Sequence, residues 1–170
     1  MQAEERRKKI IGRLTDSKEA VTGGELATLL NVSRQIIVQD VALLRAKGID
    51  ILATPQGYIL AEKLKGSTRA TIACQHDANG LKRELEIIVA HGGKIIDVTV
   101  EHPLYGELQG LLMIKTLKEV ENFVKSLEES DAKPLSTLTN GVHIHTVEVD
   151  SMEMLQQIKA ELNKEGILVT

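Results

Sequence analysis

Apolar residues recur at two different periods along this chain, and the change of period divides it. In residues 4 to 14, Ile10, Ile11 and Leu14 fall at helical spacing behind a basic cluster, Arg6 to Lys9. Thr22-Gly-Gly then precedes residues 25 to 31, a second short helix with Leu26, Leu29 and Leu30 on one side. Val32 fills a tight turn, Ser33 is a good N-cap, and a third helix runs to Lys47, where Gly48 supplies the stop. Two helices joined by so short a turn form a helix-turn-helix. Residues 51 to 54, the turn Pro55-Gln56-Gly57 and residues 58 to 60 read as a β-hairpin, so residues 1–61 are expected to form a winged helix.

The polar, turn-rich stretch 62–68, with Lys63, Lys65, Gly66 and Ser67, is expected to be a linker. In residues 69–170 the pattern alternates between strand and helix. Strands are expected near 69 to 76, 94 to 101, 107 to 114 and 142 to 149, and helices near 79 to 91, 116 to 129 and 151 to 165. The order is β-α-β-β-α-β-α. The short loop His102-Pro-Leu-Tyr-Gly106 joins the middle strands as an antiparallel pair, which predicts an α+β domain with helices over one face of an antiparallel sheet. That order is similar to histidine-containing phosphocarrier folds, in which the first strand lies beside the fourth.

Projected at 100° per residue, the third helix places Ile37, Val41 and Leu44 on one face and Arg34, Gln35, Val38, Gln39, Ala42 and Arg45 on another. The second face is the candidate for the DNA major groove. Arg34, Gln35, Gln39 and Arg45 suit base edges, whereas Ser33 and the helix N-terminus suit phosphate. Asp40 lies toward the packed side and should need a basic partner, for which the first helix is the expected source. A small helical bundle with a solvated polar face is the plainer alternative. Charge distribution agrees with a nucleic-acid-binding head: residues 1 to 65 carry 11 Lys or Arg against 8 Asp or Glu, and residues 66 to 170 carry 10 against 16.

His143-Ile144-His145 falls within an expected strand, so both imidazoles leave the same face. If the first and fourth strands are antiparallel neighbours, the end of one meets the start of the other, and His76 comes close to His143 and His145. On the helix after His76, Glu84 flanks the apolar stripe of Leu81, Leu85 and Ile88, while Glu86 points roughly opposite. Three imidazoles and one carboxylate, His76, Glu84, His143 and His145, make a first shell for a divalent transition metal: zinc or nickel foremost, with iron or manganese also compatible. The single cysteine, Cys74, excludes a multi-cysteine zinc site and is either a further soft ligand or a small core residue. Each histidine also has a plain structural reading, as a helix cap or a hydrogen-bonded strand residue. His91 suits a helix C-terminus. His102 and Tyr105 either line a small-molecule pocket or simply shape their loop. No apolar run reaches the length of a membrane span, and the first residues lack the apolar core of a signal peptide, so a cytoplasmic protein is expected.

The segment Val32 to Arg45 resembles the recognition helix of winged-helix bacterial repressors. Taken together, Ser33-Arg-Gln, His76, Leu81-Lys-Arg-Glu-Leu85, Gly92-Gly93, His102-Pro-Leu-Tyr-Gly106 and His143-Ile-His145 resemble the NiaR-type regulators, a winged helix followed by a domain named for three histidines. The resemblance implies a homodimeric repressor of niacin-uptake and NAD-synthesis genes acting at a palindromic operator. It implies nicotinic acid as co-repressor, with effector contacts expected at His102 and Tyr105. It also implies a divalent metal at His76, Glu84, His143 and His145. Two rivals remain at this stage: a metal-dependent enzyme, for which little acid–base equipment is in sight, and a DNA-binding protein regulated by phosphorylation of His76.

Overall fold

The computed structural model describes residues 2–64 and 68–170; Lys65, Gly66 and Ser67 of the expected linker lie outside the described residues. The described chain forms two compact units, one ending at Leu64 and the other beginning at Thr68.

In the first unit α1 (Ala3–Asp16), α2 (Gly23–Leu30) and α3 (Arg34–Ala46) are followed by a hairpin of β1 (Ile51–Thr54) and β2 (Gly57–Leu60). A reciprocal capping box between Thr22 and Glu25 starts α2, satisfying two backbone donors that a helix end leaves open. Asn31, in the left-handed conformation at φ 52°, ends α2 and turns the chain into Ser33, whose hydroxyl accepts from the Ile36 N–H and caps α3. Ile10, Leu14, Leu26, Leu30, Ile37, Val41 and Leu44 form the core where the three helices meet.

The hairpin turn is shorter than the sequence suggests, because Gly57 already pairs with Thr54 and only Pro55 and Gln56 remain outside the ladder. Val21 adds a bridge to Tyr58, with hydrogen bonds of 2.9 and 2.8 Å exchanged between their backbones. Gly57 sits at φ 126° against the Val21 carbonyl, where any Cβ would collide. Residues 61–64 form a 3-10 turn, so the stretch expected as linker begins in regular structure.

Asp40 is buried on α3, and its carboxylate takes a 2.5 Å hydrogen bond from Arg6 Nε and a 3.2 Å bond from Arg7 Nη1, both on α1. The basic cluster ahead of the apolar stripe of α1 thus supplies the partner that Asp40 requires. A carboxylate this far from water is tolerated only with such charge-assisted bonds.

The second unit contains β3 (Thr68–Gln75), α4 (Gly80–Ala90), β4 (Lys94–His102), β5 (Gly106–Ile114), α5 (Leu117–Glu129), β6 (Val142–Val149) and α6 (Met152–Lys164). The antiparallel sheet has the order β3-β6-β4-β5, so the first and fourth strands are neighbours, with Cys74 opposite His143 and Ile72 opposite His145. Ile72, Ile95, Ile114, Val147 and Val149 pack against Leu85, Ile88, Val120, Leu155, Ile158 and Leu162 of the three helices. Three features were not expected. Residues 135–139 form a 3-10 turn before β6. The segment around Leu168 bridges the outer side of β3, with Gln75 N–H donating to Ile167 at 2.8 Å and Val169 N–H to Ala73 at 2.9 Å. A register shift at Ile95/Asp97 bulges β4, and the Asp97 carboxylate fills the break by accepting from Thr146 N–H at 3.0 Å and Gln109 Nε2 at 2.7 Å.

Asp40→Ala removes the acceptor shared by Arg6 and Arg7, and both arginines can turn to water. The expected loss of stability is about 2–3 kcal/mol, below the full cost of breaking a closed buried pair, and about 1 kcal/mol for Arg6→Ala because Arg7 stays. Urea denaturation of the full chain measures both.

Candidate metal centre and DNA-reading face

The apolar stripe that docks α4 on the sheet carries one carboxylate with it. Glu84 is 1% exposed, beside Leu85 and one turn from Ile88. Burial of an ionised carboxylate requires compensating partners. They come from the strand ends: the β3–β6 register places His143 and His145 on the helix-facing side of β6, and the chain leaving β3 places His76 beside them. His76 Nε2 lies 2.6 Å from Glu84 Oε2, and His143 Nε2 lies 3.0 and 3.1 Å from the two carboxylate oxygens. His145 Nε2 stands 3.4 Å from Oε2, buried and without a hydrogen-bond partner. The His143 ring packs edge-on against the other two, with centroids 4.9 Å from His76 and 4.8 Å from His145.

Each imidazole is held from behind by a backbone carbonyl. Nδ1 of His76 donates to Asp77 at 2.6 Å, that of His143 to Gly141 at 2.8 Å, and that of His145 to Asp97 at 2.7 Å. With the proton on Nδ1, all three Nε2 atoms turn toward the Glu84 carboxylate, and a carbonyl behind each ring fixes its orientation, as behind metal-binding histidines. Gly141 has φ +88°, and a Cβ there would strike the His76 carbonyl oxygen. The Asp97 carbonyl lies directly after the register shift of β4, where the ladder skips Ile96.

His76, Glu84, His143 and His145 bring four donors together, one of them a buried nitrogen without a hydrogen-bond partner, and could hold a divalent metal ion. Cys74 also lies here: its sulfur, Glu84 and His143 form a buried group whose donor atoms are all within 4.8 Å of one another. Burial, and next the Glu84 charge, push its thiol far above the ordinary range. Glu86 faces outward and pairs with Lys82, in keeping with its helical phase. His91 donates to the Ile87 carbonyl at the end of α4.

His102 and Tyr105 occupy the β4–β5 hairpin tip. His102 Nδ1 accepts from the N–H groups of Leu104 and Tyr105, its ring lies 5.1 Å from that of Tyr105, and Tyr105 is 71% exposed. A cleft of about 540 Å³ lies instead beside His76, lined by Gln75, Asp77, Ser136, Thr137 and Asn140 among others. Sequence reasoning missed it, because one side of its wall comes from the unexpected 3-10 turn and the loop that follows it.

On α3, Ser33, Arg34, Gln35, Val38, Gln39, Ala42 and Arg45 are all exposed, opposite the buried Ile37, Val41 and Leu44. Arg34 runs past Gly23 at the start of α2, where even a Cβ would approach its Nε to 3.4 Å. The candidate DNA-reading face is therefore an exposed surface of mostly polar residues, with Val38 and Ala42 among them.

Burial pulls Glu84 upward and both His76 and His145 downward, but the close approach of the carboxylate and the imidazoles outweighs it: Glu84 ends well below the ordinary carboxylate range and the two histidines above theirs. Raised histidines stabilise the fold below their unfolded pKa, and that stability is lost as pH rises through the folded values; the Glu84 contribution is lost only on strong acidification. Chelator-treated protein should therefore lose stability from about pH 6 to pH 8, around the unperturbed histidine value, while excess divalent metal should cancel or reverse the trend, since metal requires neutral imidazole. Urea midpoints across this range, with and without metal, check it.

Residues 69–170 match the 3H domain family and residues 6–59 an HTH domain family. The chain is 46% identical over 166 residues to the probable transcription repressor NiaR of Thermotoga maritima, covering 98% of this chain and 94% of that one. It is 41% identical over 167 residues to the transcription repressor NadR of Bacillus subtilis, covering 96% and 93%. A helix-turn-helix and a 3H domain in the same order, matched along nearly the whole of both relatives, show that the chain belongs to the family of NiaR and NadR transcription repressors.

Proposed function

We propose that this protein is a homodimeric, cytoplasmic repressor of genes for niacin uptake and NAD synthesis, with nicotinic acid as co-repressor and a divalent metal in its second unit. The observation that carries the metal is the buried, unpartnered His145 Nε2 aimed at a carboxylate already held by His76 and His143. A bound ion would supply positive charge there and tie α4 to the ends of β3 and β6. Residues 1–61 bind DNA, residues 69–170 bind metal and effector, and the stretch 62–68 joins them.

We place nicotinic acid in the cleft beside His76. Its wall includes Gln75 and Thr137, whose side chains already donate to the Asn140 and Pro134 carbonyls and keep acceptor oxygens, and His76 links it to the buried donors. His102 and Tyr105, the effector contacts expected from the sequence, are the alternative location.

Repression then follows from linkage. Nicotinate must bind the DNA-competent arrangement more tightly than the other, and operator DNA must strengthen nicotinate binding by the same factor. A two-fold dimer presents two α3 helices to half-sites spaced by whole helical turns. Ser33 and the N–H groups at the start of α3 suit phosphate, while Arg34, Gln35, Gln39 and Arg45 suit base edges.

Three measurements test this reading. In a gel-shift titration, nicotinate should raise operator affinity about 5- to 150-fold, the usual span of allosteric coupling; unchanged affinity would sink the effector assignment. Gln75→Ala should weaken the response and Tyr105→Ala leave it intact, and the opposite pattern would move the effector to the hairpin tip. Arg34→Ala should cost about 1–3 kcal/mol at the operator if it reads a guanine, whereas an equal loss on all sequences marks a phosphate contact.

A further inference from the structure

The strand pairing that carries His143 to Glu84 also carries a sulfur. Cys74 stands opposite His143 in the β3–β6 ladder and is completely shielded from water. As a small core residue it would need only apolar neighbours, and on one side it has them, since it packs with Ile72 and the helices. On the other side it meets the charged cluster, where its sulfur, a Glu84 oxygen and a His143 nitrogen lie within 4.8 Å of one another. His145 Nε2, buried and unpartnered, points at the same carboxylate from the adjacent position on β6.

We infer that Cys74 is a further ligand of the metal, a thiolate donor beside Glu84 and His143, so that the site has five protein donors, one of them soft. The inference rests on the metal reading above. When the ion binds, the S–H bond breaks, a metal–sulfur bond forms and the proton leaves to solvent; nothing is oxidised or reduced. A thiolate in the set biases the site toward zinc, cobalt or nickel and against manganese or magnesium, which prefer oxygen donors. The rival role keeps Cys74 as a thiol donating to the Glu84 carboxylate, next to the metal but not on it.

Cobalt(II) added to the chelator-treated full chain separates these roles, because its absorption spectrum reports both binding and ligand type. Visible d–d bands, with a near-ultraviolet sulfur-to-cobalt charge-transfer band present in the wild type and missing in Cys74→Ser and Cys74→Ala, are the expected result. Visible bands in the wild type without the charge-transfer band would overturn the ligand assignment while leaving the metal site standing. Absence of both from the wild type would remove the metal reading and this inference with it. The decisive spectrum is that of the unmodified protein, so a variant that fails to fold does not blunt the test.

Discussion

Glu84 is a carboxylate with almost no access to water, and the second unit is organised around keeping it there. Its immediate partners are three imidazoles, yet their aim depends on three backbone carbonyls, and each sits at an irregularity. Asp77 opens the turn into α4, Gly141 lies in a left-handed loop that only glycine fits beside His76, and Asp97 directly follows the residue that β4 skips. The departures from regular structure are thus what converge the nitrogens, and the apolar core holds those departures in place.

The first unit solves a similar problem more simply. Asp40 lies on the packed side of α3, and Arg6 and Arg7 reach it from α1. The bonds constrain the rotation and tilt of the helix whose opposite face is the exposed candidate for DNA contact. Apolar packing alone tolerates small rotations of a helix; two charge-assisted bonds to one carboxylate tolerate fewer. In both units a buried acid therefore sets the orientation of the element that carries function.

Much of this was legible in the sequence where periodicity is strong. Helical phase separated Glu84 from Glu86 and Ile37 from Arg34, and strand alternation put His143 and His145 on one face. The need of Asp40 for a base could be stated before its partners were seen, because a buried charge is a demand on the rest of the fold. Neither the β4 bulge nor the 3-10 turn before β6 follows from periodicity, since one skips a single residue and the other is a short turn with no repeating apolar pattern. The cleft beside His76 was hidden for that reason. Cys74 was open between core residue and soft ligand, because its distance from Glu84 depends on strand register and helix docking together. Val21 gave no sign of its bridge to Tyr58; a single paired residue has no pattern to detect.

The bridge between Leu168 and the outer side of β3 changes the standing of the strand that bears Cys74 and leads to His76. By order β3 is at the margin of the sheet, where amides ordinarily fray first. With Ala73 and Gln75 bonded to residues 167–169 on that flank, it instead has neighbours on both sides over its final turns of pleat. Opening this strand requires the flanking segment to detach as well, so its local unfolding is coupled to that of a segment far away in sequence. Access to the buried donors through breathing of the sheet is correspondingly slow, and the latch lies in a stretch that carries none of the histidines.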